Sequence, residues 1–245
     1  MARKWSCVRL SAPKHVDSQQ HVTNLLSTVV PRLRACLRNA DRTARWSFER
    51  RHDRDGEHLL LCFLTGPRAH DALSWLLPDQ DVSQVAEPHQ EHEHGCEQLA
   101  HASSDLAVDI GAMNDWLPFA YFHLCELVEL VHPADRGQFL FLCWQRWTAA
   151  FLPEHRVKLL GAADAWVPPA TDQRHLTGAA GESWTAYLHA VRRACADSVH
   201  PHYLLYEHLH STHARLGIDL ASQALAARST RTWLDSEASQ RLRSA

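Results

Sequence analysis

The chain has 245 residues, of which 45% are hydrophobic and 22% charged, with a formal net charge of −3. That balance is ordinary for a globular protein and leaves enough chain for a substantial core. It contains no apolar run of the roughly 18 residues that mark a membrane span, no signal-peptide-like opening, and no basic–aromatic stripe or nucleic-acid motif; a cytoplasmic protein with no membrane or nucleic-acid partner is expected.

Trp5 to Leu10 alternates and stops at Ser-Ala-Pro, which predicts a first strand. From Val16 to Leu37 the apolar residues Val22, Leu25, Leu26, Val29, Val30, Leu33 and Leu37 fall at helical spacing, and Pro31 should kink or split that helix. "RWSFERRHDRDGEHLLLCF", residues 45–63, reads as strand, charged turn, strand, with strands over Ala44–Arg50 and His58–Leu64. Gly66-Pro67 ends the second strand, and Arg68–Leu77 is expected as a short helix. The order β-α-β-β-α suggests a ferredoxin-like half with helices on a sheet. Helices are expected over Cys96–Ile110, Leu117–Val131, Pro133–Phe151, Trp184–Ser198 and Tyr203–Ala227, with a long loop over 152–182 and a frayed tail after Trp233. The fold class is therefore α+β: one antiparallel sheet with packed helices, then a helical C-terminal half. No linker-like stretch interrupts it, so one domain, 1–245, is expected.

Charge is strongly blocked. Residues 1–70 carry a balance of +7, residues 71–140 a balance of −12, and the remainder +2. Two readings stand: the basic block steers an acidic partner, or the two blocks face each other. Seven cysteines (Cys7, Cys36, Cys62, Cys96, Cys125, Cys143 and Cys195) show no CxxC pair, which favours free thiols over a disulfide framework. "HQEHEHGCEQLAH", residues 89–101, gathers His89, His92, His94, Cys96 and His101, either as metal ligands or as a solvated polar segment. No HExxH or zinc-finger spacing supports a metal. Phosphate-cradling and serine-hydrolase motifs are absent too.

"HYLLYEHLHSTHARLG", residues 202–217, places Tyr203, Tyr206, His210 and His213 three, four and three apart. Such spacing lines one stripe of a helix. Phenols and imidazoles there could donate and accept protons near neutral pH, or the stripe could be a packed polar face.

With these stretches in hand, the sequence resembles the C-terminal elimination domain of lantibiotic and thiopeptide dehydratases nearly end to end. The resemblance is carried by Trp5 and the helix reaching "LLSTVVPRL", by the 45–63 hairpin, by "AEPHQEHEHGCEQLAHASSDLAVDI" and by "HLHSTHARLGI". Elimination domains of this family remove glutamate from glutamylated Ser/Thr and carry arginines on the second hairpin strand to hold the glutamyl carboxylate. Here that strand is Leu59-Leu60-Leu61-Cys62-Phe63, and apolar side chains cannot replace a bidentate guanidinium. His210, matching the family's helix histidine, is kept.

A stand-alone relative with that loss looks like a pyridine synthase of thiopeptide biosynthesis. The resemblance then implies a formal [4+2] aza-cycloaddition between two dehydroalanines of one precursor peptide, with loss of water and of the leader peptide. It implies no metal and no organic cofactor. His210, Tyr206 and Tyr203 would be catalytic. Trp5, Arg9, Arg32, Arg34, Arg38, Arg50, Arg51, His213 and Arg215 would bind the precursor peptide, the basic residues matching an acidic leader. Transient contact with other biosynthetic enzymes fits the same reading. Glutamate elimination by a divergent fragment and a non-catalytic leader-binding scaffold are the alternatives.

Overall fold

The computed structural model describes residues 4–11, 16–54, 56–66, 82–85, 96–111, 113, 115–167 and 176–244; for 4, 82–85, 96 and 237–244 it describes the backbone alone. Four strands, β1 (Lys4–Ser11), β2 (Arg45–Asp53), β3 (Gly56–Thr65) and β4 (Val82–Val85), form one antiparallel sheet in the order β2-β3-β1-β4. This is the ferredoxin-like strand order, and the class is α+β. β3 lies between two strands, and Leu59, Leu61, Cys62 and Phe63 are all buried. No strand was expected at β4, and the helix expected over Arg68–Leu77 lies outside the described residues.

The helix expected from Val16 to Leu37 is α1 (Ser18–Asn24), a π turn at Leu25–Val29, and α2 (Val30–Ala40). Asp17 starts it by accepting from the amides of Gln19 and Gln20. Pro31 has no N–H for the carbonyl four residues back. The i→i+5 turn immediately before it, closed by the Val30 amide on the Leu25 carbonyl, absorbs the misfit.

The other helices among the described residues are α3 (Cys96–Ile110), α4 (Leu117–Val128), α5 (Arg136–Thr148), α6 (Pro153–Ala165), α7 (Gly178–Asp197), α8 (Pro201–Leu216) and α9 (Leu220–Ser244); a 3-10 turn at Pro133–Asp135 leads into α5. Four expectations change. The long loop over 152–182 contains α6, begun by Pro153 with Glu154 in its first turn. It was missed because only Ala163 is buried, so no apolar stripe marks it. Gly178 opens α7 rather than lying in a loop. The single helix read over Tyr203–Ala227 is two helices broken at Gly217, whose φ is +80°. The tail after Trp233 stays helical to Ser244.

Cys7 and Cys62 face each other across β1 and β3 and are joined as a disulfide, with Cα atoms 4.3 Å apart. This corrects the free-thiol expectation for that pair; strand register, not sequence spacing, opposes them. Cys36, Cys125, Cys143 and Cys195 are not joined in disulfides.

The chain divides into two compact units interleaved in sequence. The first holds residues 1–112, 177–194 and 214–216; the second holds 113–176, 195–213 and 217–245. In the first, β2 is an edge strand with unpaired backbone groups that need cover. Ser104 accepts from the Phe48 amide at 3.2 Å, His101 Nδ1 lies 3.1 Å from the Trp46 carbonyl, and Arg215 Nε donates to the Phe48 carbonyl at 2.8 Å. In the second, α9 packs on α4, α5 and α6. Its Ala224, Ala226 and Ala227 are fully buried, small enough for the helices to approach closely.

Candidate functional site

The second unit carries the phenol–imidazole face of α8. Leu205 and Leu209 are buried in the core, and Tyr206 and His210, beside them in the helix, are half-buried. Their rings lie parallel, 5° apart in plane, with centroids 6.3 Å apart. Tyr206 also stacks on buried Trp147 at 6.0 Å. Tyr203, at the outer end, is 65% exposed.

His213 lies at the inner end and is fully buried. Its Nε2 is 3.1 Å from Nδ1 of His123, an equally buried histidine on the apolar helix α4. Burial, and then each ring's imidazole neighbours, disfavour charge here. His123 is held well below the ordinary imidazole value. His213 is pushed to about 3, with Gln223 pulling weakly the other way. The two are a neutral pair sharing one proton between facing nitrogens. Burial, helped by Cys143 and Glu207 and opposed by Arg146, raises the Tyr206 phenol; it stays protonated at neutral pH. The face thus presents a neutral donor, Tyr206, beside a half-exposed imidazole, His210.

The first unit holds a charged cavity of about 410 Å³, lined by Arg34, Arg38, Gln98, His101, Asp105, Asp109, Glu182 and Ser183 over a floor of alanines. Arg34 ion-pairs with Asp109 and Asp105, Ser183 donates to Asp109, and Arg38 meets Asp105 at 2.9 Å. Trp46 Nε1 donates to Asp105 at 3.2 Å. Burial works against the Arg34 charge, but Asp109 and then Asp105 outweigh it, and its pKa lies above the ordinary value. Arg34 and Arg38 of the basic block therefore meet Asp105 and Asp109 of the acidic block, as the facing-blocks reading has it.

The other arginines of the basic block divide by exposure. Arg50 is largely buried near Glu57, and burial lowers its pKa against the pull of that carboxylate. Arg51 binds Glu49 at 2.8 Å and Arg9 binds Asp53 at 2.9 Å, both partly exposed. Arg32 is exposed, and Trp5 is half-buried on β1. Arg215 is only 3% exposed, held by Phe48 and by Ser103 at 3.3 Å; its place is structural. Burial lowers its pKa, with Glu49 opposing.

His89, His92 and His94 lie outside the described residues, and the Cys96 side chain is not described. Among the described residues no group of three or more His, Cys, Asp or Glu is placed to hold a metal ion, and no helix is long and apolar enough to cross a membrane.

Sequence reasoning missed His123, Trp147 and Gln223 in one unit and Asp105, Asp109 and Ser183 in the other. A lone histidine in "LPFAYFHLCELV" was the one readable signal. The rest depend on tertiary neighbours.

No family model matches the chain, and no curated sequence matches it. Solved structures do. The tRNA-dependent lantibiotic dehydratase MibB from Microbispora sp. 107891 superposes with a TM-score of 0.65 at 16% identity, over 97% of this chain and 28% of that one. The pyridine synthase TbtD from thiomuracin biosynthesis gives 0.60 at 12% identity, over 95% of this chain and 98% of that one. TsrL gives 0.52 at 15% identity, over 97% and 96%. This chain therefore spans little more than a quarter of the dehydratase, but nearly the whole of the pyridine synthase and of TsrL. At these identities the likeness establishes a shared fold, and it includes the relatives the sequence resemblance named.

Proposed function

We propose that the chain is an enzyme of thiopeptide maturation, a pyridine synthase built as one dehydratase-elimination-like domain. The fold shared with the pyridine synthase, at a TM-score of 0.60, supports this reading. The apolar β3 carries it: Leu59, Leu61, Cys62 and Phe63 are buried, and no arginine stands on that strand to grip a glutamyl carboxylate.

In this reading two dehydroalanines of one precursor are held so that their alkenes meet. Positioning alone supplies about 7–11 kcal/mol of such a barrier. One dehydroalanine and its tautomerised amide form the aza-diene, and the other supplies two carbons. Water and the leader peptide are then eliminated to give the pyridine. Tyr206 and His210 move the protons, with Tyr203 as the third candidate on that face. An acidic leader would meet exposed Arg32 and compete with Asp53, Asp105 and Glu49 for Arg9, Arg38 and Arg51, whose side chains are 43%, 55% and 40% exposed.

Incubation with a bis-dehydroalanine precursor tests the reading: a pyridine-containing macrocycle and released leader are expected by mass spectrometry and absorbance. Free glutamate from a glutamylated precursor would instead mark an elimination enzyme. Binding without any product would mark a scaffold.

A further inference from the structure

Tyr206 and His210 can exchange protons with a substrate, but a histidine can begin as donor or acceptor at either nitrogen. Gln223 decides which. Gly217 ends α8 in the left-handed region, and the Ile218 amide returns to the His213 carbonyl at 2.9 Å, the Schellman pattern. Asp219 then caps α9 by accepting from the Ser222 amide at 2.9 Å. This tight corner sets Gln223 in the first turn of α9, 1% exposed. Its Nε2 lies 2.8 Å from the Ile218 carbonyl oxygen, and its Oε1 lies 3.2 Å from His210 Nδ1.

The polarity of that chain is forced. A backbone carbonyl has no proton to give, so Gln223 must turn its N–H toward Ile218. Its amide oxygen therefore faces His210, and an amide oxygen has no proton either. Nδ1 of His210 must carry the hydrogen, which leaves the lone pair of the neutral ring on Nε2.

We propose that Gln223 is a positioning residue that locks His210 as the Nδ1–H tautomer, making His210 Nε2 the proton acceptor of the site and Tyr206 its proton donor. The assignment of a catalytic role rests on the pyridine-synthase reading; the tautomer does not. In the amide tautomerisation, His210 Nε2 takes the proton from the substrate amide nitrogen and Tyr206 gives its phenolic proton to the amide oxygen. The imidazolium then returns one proton to the phenolate, directly or through solvent, so the pair is reset and the substrate gains or loses none. The raised phenol of Tyr206 keeps the donor loaded at neutral pH.

The test is a long-range proton–nitrogen NMR correlation of the full chain labelled with 15N-histidine, at a pH well above the imidazole range. His210 is assigned by its disappearance in His210→Gln. A pyrrole-like Nδ1 and a pyridine-like Nε2 are expected; the reverse pattern overturns the proposal. Gln223→Met keeps the length and removes both hydrogen bonds. It should release His210 into mixed tautomers and lower kcat about 10–100-fold at nearly constant KM, by analogy with the loss when a partner orienting a metal-bound imidazole is removed. An unchanged tautomer in folded Gln223→Met overturns the proposal. Gln223→Glu keeps an acceptor facing Nδ1 and should keep the wild-type pattern, so it and the wild-type spectrum decide the question if Gln223→Met does not fold. The spectra are read on the free protein, so they succeed or fail independently of turnover of any precursor.

Discussion

Two pairs of residues in the second unit sit close together and differ in exposure. Tyr206 and His210 are half-exposed, whereas His123 and His213 are fully buried. If the outer pair moves protons in the rate-limiting step, His210→Ala and Tyr206→Phe should each lower turnover about 10²–10⁴-fold. Affinity for the leader should hold, because a contact made mainly in the transition state is lost from kcat; near-full turnover in both variants would remove these residues from the mechanism. The inner pair makes a prediction about stability. Both imidazoles stay neutral when folded, His213 down to about 3, but titrate near about 6.5 in an unfolded chain. As pH falls below that value the unfolded chain binds protons that the folded one refuses. Their contribution is therefore complete above about pH 6.5 and declines steadily toward pH 3. Calorimetry across that window should show a shallower acid decline for His123→Gln than for wild type; an identical slope would contradict the neutral pair.

At the scale of elements, most of what was legible rested on periodicity. α3 was read with its observed limits because its apolar positions repeat, and the hairpin because its charged turn divides two apolar-patterned strands. α6 was illegible because it buries almost nothing. β4 was illegible because a four-residue strand carries too short a pattern. The break between α8 and α9 was hidden for another reason: helical spacing runs through it, and a glycine inside a helical pattern is tolerated. Only the backbone shows that Gly217 is left-handed. Gly217→Ala should cost about 1–2 kcal/mol, the cost of forcing a side chain into that region, and urea denaturation would measure it. Stabilisation instead would mean that the two helices can merge, and would contradict the corner that places Gln223. The candidate site was half legible. Helical spacing placed Tyr206 and His210 on one face, but residues that meet through tertiary packing (Trp147 with Tyr206, Gln223 with His210) leave no mark in a single sequence.

For the whole molecule, the charge blocks bear on what can bind. Part of the +7 block is neutralised at home: Arg34, Arg38 and Arg45 meet Asp109, Asp105 and Glu97. The Arg45–Glu97 pair is 42% and 43% exposed, and pairs so exposed contribute little stability. Arg34 and Asp109, at 16% and 10%, are a more committed pair, and this lowers their value to an incoming peptide. The arginines left for a leader are the more exposed ones. Those features concern binding, and binding alone does not separate a synthase from an eliminating enzyme or a scaffold. Product does. The most direct measurement is mass spectrometry of a bis-dehydroalanine precursor after incubation with the purified chain. The expected result is one pyridine-containing macrocycle and one released leader for each precursor consumed, with the mass of one water lost. Unchanged precursor under conditions where the leader binds, or glutamate released from a glutamylated precursor in place of cyclisation, would contradict it.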